Sequence, residues 1–557
     1  MTLLTARSRL AFVVISALLA IPAVAQTQDA SDPHAACAAP PTYVPQGLLE
    51  RPLPLRTGIG NSHEPVTAST KEAQAFYDQG LNYLESYVWI EASRSFHQAL
   101  RVDPGMAMAY VGLSRVHSGL DDAAGAKRFL EKARALADKV SERERRRIEI
   151  RARQLEAIDD LENAAKFLAY KKAIDDALNA DTQDEQLWLL RAMAEEPNAS
   201  GRGQRGTSGS IAFYEQVLKR VPDHASAHHY LIHTYETIGQ IDKALEHGEA
   251  FARLSPAIPH AAHMWGHDLR RVGRVDDAIV QFKKADSLER AYYKAEKLDP
   301  AFDWHHGHNL NLLASCYQHQ GRMKVAEKIM NQAGALGVVD AYGAFNVREL
   351  PNFFLYRERY KDAVEAARGM TKSKYVQARA TGHALAGQAL VAQGKTTAAA
   401  EELAKAEREL EGVPRVAPGL IPRRAQVDPW VDALRAELLI KSGKGAEGRE
   451  ALKKVVLALR ALPGPDAWSQ ALFRLDSFAR TAREAGDWEL AGFIADQMLA
   501  HDDDYGGSHL AKALVLQHQG DAAGAERAME SARVCWRSAD PDLAELKLLR
   551  ASTAAKR

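Results

Sequence analysis

The chain contains 557 residues, and its 72 Lys and Arg are balanced by 72 Asp and Glu. A near-neutral chain of this kind gives no support for binding to nucleic acid or to a membrane surface. The composition is that of a globular protein rich in helix formers, and the length indicates several domains unless the chain is a repeat array.

The first 25 residues are predicted to be a signal peptide. Arg7 and Arg9 precede an uncharged apolar run over residues 10–21, which is too short to span a bilayer. Ala23 and Ala25 then supply the small residues of a cleavage site. We therefore expect an exported chain, periplasmic if the source is Gram-negative and secreted otherwise. No later apolar run approaches spanning length, so we expect no membrane insertion.

Three cysteines, Cys37, Cys316 and Cys535, allow one disulfide in an oxidising compartment but are too few for a disulfide framework. Cys316 lies between packing residues and is predicted to be structural. The sequence contains no Cys-x-x-Cys pair, Walker-type phosphate loop, Gly-x-Ser-x-Gly elbow or His-Glu-x-x-His motif. Several familiar enzyme classes are thereby disfavoured.

Residues 26–69 are rich in Pro and Gly and are predicted to form an extended arm. A 34-residue period follows, and its first copy is marked by Phe76, Gly80, Tyr83, Ala92, Phe96, Ala99 and Pro104. Later copies include Leu231, Tyr235, Ala244, Phe251 and Pro256, then Gly266, Leu269, Ala278, Phe282 and Ala285. On these residues the chain resembles the tetratricopeptide-repeat (TPR) family, as an exported bacterial-type member with histidine-rich central repeats.

The resemblance implies an all-α fold, a TPR-type solenoid of helical hairpins that winds into a right-handed superhelix behind the arm. Gly80 and Ala92 are small where the two helices of a hairpin cross, while Tyr83 and Phe96 fill the space between hairpins. Solenoids of this kind have many roles, so the fold alone predicts little about function.

The repeat pattern predicts the order of segments along the chain. These are N-terminal repeats (70–140), irregular helices with a Gly/Arg/Ser loop at 197–210 (141–224), histidine-rich central repeats (225–340), TPR-like repeats (341–413), a linker (414–429), and C-terminal repeats with a capping helix (430–557). No strand precedes the 197–210 loop, which disfavours a phosphate-binding role and favours a mobile loop or lid beside the histidines.

Histidines concentrate in one part of the chain, since 12 of the 20 lie between His224 and His319. His229, His233 and Glu236 have the i, i+4, i+7 spacing of one helix face, and the next repeat has a related i, i+3, i+7 set. On a helical wheel all of them lie away from the packing face. In TPR solenoids that side of the first helices lines the concave groove, where neighbouring helices lie about 8–10 Å apart.

The phased histidines therefore predict a metal site that holds one or two transition-metal ions, because several imidazoles and a carboxylate suit Zn, Fe, Cu or Ni. The predicted ligands are His229, His233, Glu236, His260, His263, His267 and His308. Candidate additions are His224, Arg270 and Asn311, and Glu236 is a candidate general base as well as a ligand.

Each feature also has a plainer interpretation. The groove histidines could bind peptide through hydrogen bonds, His224 could be a loop residue, and His228 is expected in the core. The side chains with two open interpretations are His305 and His306 (groove or solvent), Arg270 and Arg271 (carboxylate clamp or surface ion pair), and Tyr230, Trp265 and Trp304 (pocket wall or core).

Two classes of function remain open. The favoured hypothesis is an exported metalloprotein, a metal-dependent oxidoreductase or hydrolase if the site is catalytic, that acts on a small molecule or peptide in the groove. The alternative is an interaction scaffold that binds a segment of a partner protein without chemistry. Metal storage or delivery would share the site but not the turnover.

Overall fold

The computed structural model describes residues 44–338, 340–413, 424–462 and 465–554. The predicted signal peptide, Cys37 and the first part of the arm lie outside these ranges. Within them every regular element is helical, and two short 3-10 turns, Ala137–Lys139 and Pro300–Phe302, accompany the α-helices. The prediction of an all-α helical-repeat fold is confirmed.

The first thirteen α-helices lie before residue 300. They are α1 (Gln46–Leu49), α2 (Lys71–Glu85), α3 (Trp89–Val102), α4 (Ala107–Gly119), α5 (Ala123–Arg134), α6 (Glu142–Ile158), α7 (Ala164–Ala180), α8 (Glu185–Met193), α9 (Ser208–Arg220), α10 (Ala225–Thr237), α11 (Ile241–Leu254), α12 (Pro259–Arg271) and α13 (Val275–Glu296).

The remaining α-helices continue the array to the end of the described chain. They are α14 (Trp304–His319), α15 (Met323–Ala335), α16 (Ala341–Asn346), α17 (Glu349–Tyr356), α18 (Tyr360–Met370), α19 (Val376–Ala392), α20 (Thr396–Leu410), α21 (Arg424–Lys441), α22 (Gly445–Arg460), α23 (Pro465–Glu484), α24 (Trp488–His501), α25 (Gly506–His518), α26 (Ala522–Cys535) and α27 (Ala544–Ala554).

Within the described residues many consecutive helices pack as hairpins, for example α2 with α3, α10 with α11, α12 with α13, and α25 with α26. Tight turns join many of these pairs. Gly239 and Gly273 each have φ of 78°, a left-handed conformation that glycine adopts without steric cost at a helix C-terminus. Residues 141–224, which the sequence predicts to be irregular, contain two further pairs, α6 with α7 and α8 with α9.

Phe96 shows why the repeat pattern closes a hairpin. Its ring is fully buried, and a Cβ added to Gly80 or Gly112 would lie 2.7 or 2.5 Å from it. Gly266 has the same relation to Phe282, at 2.9 Å. Small residues therefore let the helices approach an aromatic ring that fills the space between them, as the sequence indicates.

The described part of the arm, predicted to be extended, contains the short helix α1 and then runs without regular structure along the repeats. Leu53 and Ile59 are buried, the amide of Asn82 donates to the Ser62 carbonyl at 2.9 Å, and the Ala257 N–H donates to the Gly58 carbonyl at 2.8 Å. The arm thus connects α2 with the turn before α12, two parts of the chain that are distant in sequence.

Two large hydrophobic cores share the structure, one built mainly from residues 44–298 and the other from residues 269–549. Helix α12 belongs to both, since Ala261 and Met264 pack in the first and Leu269 in the second. The predicted histidine ligands of α12 therefore lie where the two cores meet.

Two details of the second half bear on the predictions. The linker is shorter than the predicted 414–429, because residues 424–429 already belong to α21. Residues 414–423 lie outside the described ranges. Cys316 and Cys535 are free thiols, and burial raises the pKa of Cys316 to about 12.

None of the helices in the described ranges is both long and apolar enough to cross a bilayer.

Replacing Phe96 by alanine is expected to lower the free energy of unfolding by about 3–5 kcal/mol, because a large ring leaves a fully enclosed space. Urea unfolding followed by circular dichroism measures the loss. The matched control is Leu168→Ala, whose side chain is 64% exposed and should change stability by less than about 0.5 kcal/mol. Equal effects of the two substitutions would contradict the packing role of Phe96.

Candidate metal centre

Seven histidines from three neighbouring helices lie together and form what we call the histidine cluster. They are His229 and His233 on α10, His260, His263 and His267 on α12, and His305 and His308 on α14. All are well buried, and the most exposed side chain, that of His233, is only 11% accessible. The first helices of three successive repeats thus bring their imidazoles to one place.

The cluster contains three overlapping groups whose donor atoms lie within 4.8 Å of one another. The first trio is His229, His233 and His260, and the second trio is His263, His267 and His308. A middle group combines His260 and His263 with His305. Because the first and second trios share no ring, both can bind an ion at the same time.

Three rings of the cluster have one nitrogen fixed by an acceptor. The Nδ1–H of His229 donates to the Glu85 carbonyl at 2.7 Å, and the Nδ1–H of His263 donates to Oδ1 of Asn309 at 2.8 Å. His305 Nδ1 lies 2.5 Å from Oε1 of Glu289. Metal-binding histidines are typically oriented by such a bond on their second nitrogen, which leaves the other nitrogen to the ion.

In the first trio, Nε2 of His229 lies 3.0 Å from Nε2 of His260. The proton of His229 is on Nδ1, so its Nε2 carries a lone pair that faces the other ring. Zn–N bonds of about 2.0–2.1 Å in a tetrahedral site place two ligand nitrogens about 3.3 Å apart. The observed separation is therefore close to what a shared cation needs.

Several nitrogens of the cluster have no hydrogen-bond partner among the described residues, namely Nε2 of His233, Nδ1 of His260 and Nε2 of His263. Buried polar atoms normally have a hydrogen-bond partner, and each buried atom without one lowers the stability of the folded chain by about 1–3 kcal/mol. The concentration of such atoms in one place is the arrangement expected around a bound ion.

Burial also keeps these rings neutral. Desolvation, and secondarily the neighbouring imidazoles, lowers the pKa of His229, His260 and His263 well below the usual range. Neutral imidazole is the form that binds a metal ion. At neutral pH these three rings therefore present lone pairs rather than positive charges.

Glu236 lies behind the two trios and is a member of neither. Its carboxylate oxygens are 3.6 Å from Nδ1 of His233 and 3.6 Å from Nδ1 of His267, so it connects the two trios. Burial disfavours its charge, but the attraction of those two imidazoles lowers its pKa overall. Burial, and secondarily the Glu236 charge, raises the pKa of the adjacent Asp268 well above the usual range.

The three candidate additions have different surroundings. His224 caps α10, where its Nδ1 accepts from the Ala227 N–H at 3.4 Å. Asn311 lines a cavity of about 70 Å³ together with His308. Arg270 is 2% exposed and pairs with Asp502 at 3.0 Å, so it forms a buried ion pair rather than a surface one.

The structure also shows where the other histidines considered in the sequence analysis lie. His228 is not in the core: it is partly exposed, and its Nδ1 lies 2.8 Å from Nδ1 of His247. His306 Nε2 lies 2.8 Å from Asp286 on α13. His305 belongs to the cluster, and its spacing of three residues from His308 was the available sequence signal.

The expected open groove is not found at the cluster, because aromatic rings cover it. The ring of Tyr87 lies 4.6 Å from that of His229 and 5.4 Å from that of His260, and Trp304 lies 5.7 Å from His308. Tyr87 has φ of 59°, in the turn position that glycine occupies in other hairpins. A left-handed residue with a side chain is strained by about 1–2 kcal/mol, and here the strain places a ring on the cluster.

A cavity of about 560 Å³ adjoins the cluster. Its wall includes Tyr87, Trp89, His260, Glu289, Trp304 and His305, and arm residues 55–57 and 59 close one side. This volume lies within the roughly 300–1,000 Å³ of small-molecule sites. Two cluster histidines form part of its surface.

Comparison with known proteins gives no family and no close relative: no family model and no curated protein matches the sequence. Solved structures similar to the chain include yeast Tom70 (12% identity, 87% of this chain and 96% of that chain, TM-score 0.34). Others are Cut9–Hcn1 of the APC/C (12%, 87% and 97%, 0.30) and an IFIT1 monomeric mutant with Gppp-AAAA (14%, 84% and 91%, 0.34). The fold assignment rests on the helix pairs described above.

Acid is expected to destabilise the metal-free protein. The pKa values of His229, His260 and His263 are lower in the folded chain than the roughly 6.5 of an unfolded histidine. Below about pH 6.5 the unfolded state therefore binds more protons, and stability falls by about 1.4 kcal/mol per pH unit for each ring that stays neutral. Urea midpoints measured on chelator-treated protein between about pH 7.5 and 5.5 test this.

His263→Gln should reduce this pH dependence, because one neutral buried ring is removed. The control is His518→Gln, which changes an exposed histidine outside the cluster and should leave the pH dependence unaltered. A midpoint that stays constant across the pH range in the wild type would contradict the assignment of buried neutral imidazoles.

Proposed function

We propose that this chain is an exported metalloprotein that binds two transition-metal ions in the histidine cluster. In this proposal it acts on a small molecule in the adjoining cavity of about 560 Å³, which we therefore call the substrate cavity. The observation that carries the proposal is the burial of seven imidazoles with overlapping donor sets, three of them fixed by an acceptor on the second nitrogen. Export is inferred from the N-terminal segment of the sequence.

Each trio would hold one ion. Three imidazoles per ion favour Zn, Cu or Fe over Mg or Ca, which prefer oxygen ligands. The ionised carboxylate of Glu236 lies between the trios and offsets part of the positive charge of two buried cations. Sites with three protein ligands keep coordination positions open, and a bound ion there would supply Lewis-acid or redox chemistry.

The substrate cavity favours turnover over storage. It contacts His260 of the first trio and His305 between the trios, so a molecule in the cavity lies next to the bound ions. Tyr87, Trp89 and Trp304 give it flat apolar walls that orient a small organic molecule and exclude water. Hydrolysis and oxidation are the two reaction classes that this arrangement suits. A pure storage protein needs the ligands but not the cavity.

Partner binding is the second candidate function, because helical-hairpin solenoids commonly present binding surfaces. The cluster itself is buried under Tyr87 and Trp304 and is not a peptide groove. A partner would therefore bind elsewhere on the repeats, and the two functions are compatible.

Untagged protein is expected to contain about two transition-metal ions per chain. His233→Ala should remove one ion by opening the first trio, and His267→Ala should remove the other by opening the second. Elemental analysis by mass spectrometry, with circular dichroism to confirm folding, measures the stoichiometry.

The matched control is His228→Ala, which removes the residue next to His229 on the same helix but outside the cluster. It should retain both ions. The proposal is excluded if the protein purifies without metal and takes up none when metal is added. It is also excluded if the variant with both His233→Ala and His267→Ala binds as much metal as the wild type.

Asn309→Ala is expected to weaken the second trio specifically, because the amide orients His263 and is itself held by a 3.0 Å bond to the Phe282 carbonyl. Loss of such an orienting partner typically lowers metal affinity about 10–100-fold. Competition with a chromophoric chelator measures the two affinities, and the first ion should be unaffected. An equal loss at both sites would indicate general disruption instead.

A further inference from the structure

A second cavity, of about 120 Å³, lies among the N-terminal helices. It is separate from the substrate cavity, although Tyr87 and Trp89 line both. The volume is several times the roughly 10–15 Å³ that one water molecule needs by the same measure. We call it the N-terminal cavity.

The wall of this cavity carries an excess of positive charge. Two of its cations have acidic partners within the wall: Arg202 pairs with Asp121 at 3.2 Å, and Lys127 pairs with Asp159 at 2.8 Å. The other two cations, Arg115 on α4 and Arg151 on α6, form no ion pair with any carboxylate of the described residues. The wall therefore has two positive charges without a counterion.

Arg151 is the more deeply buried of the two, at 4% exposure. Its guanidinium donates to the Ser114 hydroxyl at 2.9 Å and to Oε1 of Gln154 at 2.6 Å, both of which are neutral. Burial, and secondarily the charge of Arg115, lowers the pKa of Arg151 to about 9, so the group is still charged at neutral pH. An uncompensated buried charge is costly, and an anion is the natural compensation.

Three donors on the wall also lack a partner. In the described part of the chain, no hydrogen bond is found for the guanidinium of Arg115 or for the hydroxyls of Tyr170 and Tyr230. Both tyrosine residues are buried, at 1% exposure. Buried hydroxyls normally have a partner, and these two line the same cavity as the unpaired arginines.

We infer that the N-terminal cavity binds a small organic anion, a carboxylate or phosphate carried on an apolar body. The guanidinium of Arg115 and the Tyr170 and Tyr230 hydroxyls would bind the anionic group. The apolar part of the wall would contact the body of the ligand, and it is formed by Leu84, Trp89, Leu155, Ile158, Leu190 and Met193.

The 197–210 loop contributes to the wall of this cavity. Gly201 and Arg202 lie in its wall, and the carbonyl of Arg202 accepts a 2.7 Å hydrogen bond from the Tyr87 hydroxyl. Tyr87 thus connects the loop with the histidine cluster. The anion site does not depend on the metal ions, because no cluster histidine lines it.

Isothermal titration of the full chain with benzoate, phenyl phosphate and benzyl alcohol tests the inference. Benzoate or phenyl phosphate should bind and raise the melting temperature, and the comparison of the two distinguishes carboxylate from phosphate. Benzyl alcohol, which has a similar body and no charge, should bind at least about tenfold more weakly. Chelator-treated and metal-loaded protein should give the same result, which separates this test from that of the metal sites.

Two variants keep the test specific, because the side chains they alter form no hydrogen bond that supports the fold. Arg115→Met should weaken anion binding about tenfold or more, and Tyr170→Phe about threefold to tenfold. Arg128→Met changes an exposed arginine on α5 and should bind like the wild type. The inference is overturned if neither anion binds, if benzyl alcohol binds as tightly as the anions, or if Arg115→Met binds them like the wild type.

Discussion

The structure depends most on the desolvation of the imidazoles on α12. This helix contributes to both hydrophobic cores and carries His260, His263 and His267 on the side between them. Burial there removes water from every ring nitrogen, and each nitrogen then needs a partner from the protein or from an ion. The Asn309 side chain accepts from His263, and the Glu85 carbonyl accepts in the same way from His229 on α10. Nδ1 of His260 and Nε2 of His263 have no hydrogen-bond partner among the described residues.

Tyr87 connects the buried imidazoles with the rest of the N-terminal half. It holds a left-handed turn that glycine occupies in other hairpins, and its ring contacts His229, His233 and His260. The same residue lines the substrate cavity and the N-terminal cavity. One strained residue therefore separates three regions with different chemistry: neutral imidazoles, an aromatic chamber, and a basic pocket.

The repeat architecture explains how such a site can arise. Each hairpin places the first helix of its pair beside the first helix of the next, so one residue per turn from three helices can meet along a line. Distant segments then close the site, including the arm at Leu55 and the C-terminal repeats through the ion pair of Arg270 with Asp502. The face of the first helices, which would be exposed in an open solenoid, is therefore enclosed here.

Much of the candidate site follows from local spacing, and its main departures have a physical cause. The wheel places the six predicted histidines on one side of three helices, and the structure brings those six together. His305 joins them, and Glu236 lies 3.6 Å behind the rings, because a wheel gives the direction of a side chain but not its distance from the next helix. Glu289 reaches His305 because α13 runs for 22 residues, beyond the length that the repeat indicates.

The sequence by itself determined the helical hairpins, the small-against-aromatic packing at Gly80 and Phe96, and the shared face of the histidines, because each depends on spacing within one or two helices. Only the tertiary structure decided that this face is buried, that it is oriented by a carbonyl 144 residues away in the chain, and that two cavities flank it. Those features depend on how successive hairpins stack and on where the arm and the C-terminal repeats return. Such long-range contacts leave no periodic signal in the sequence.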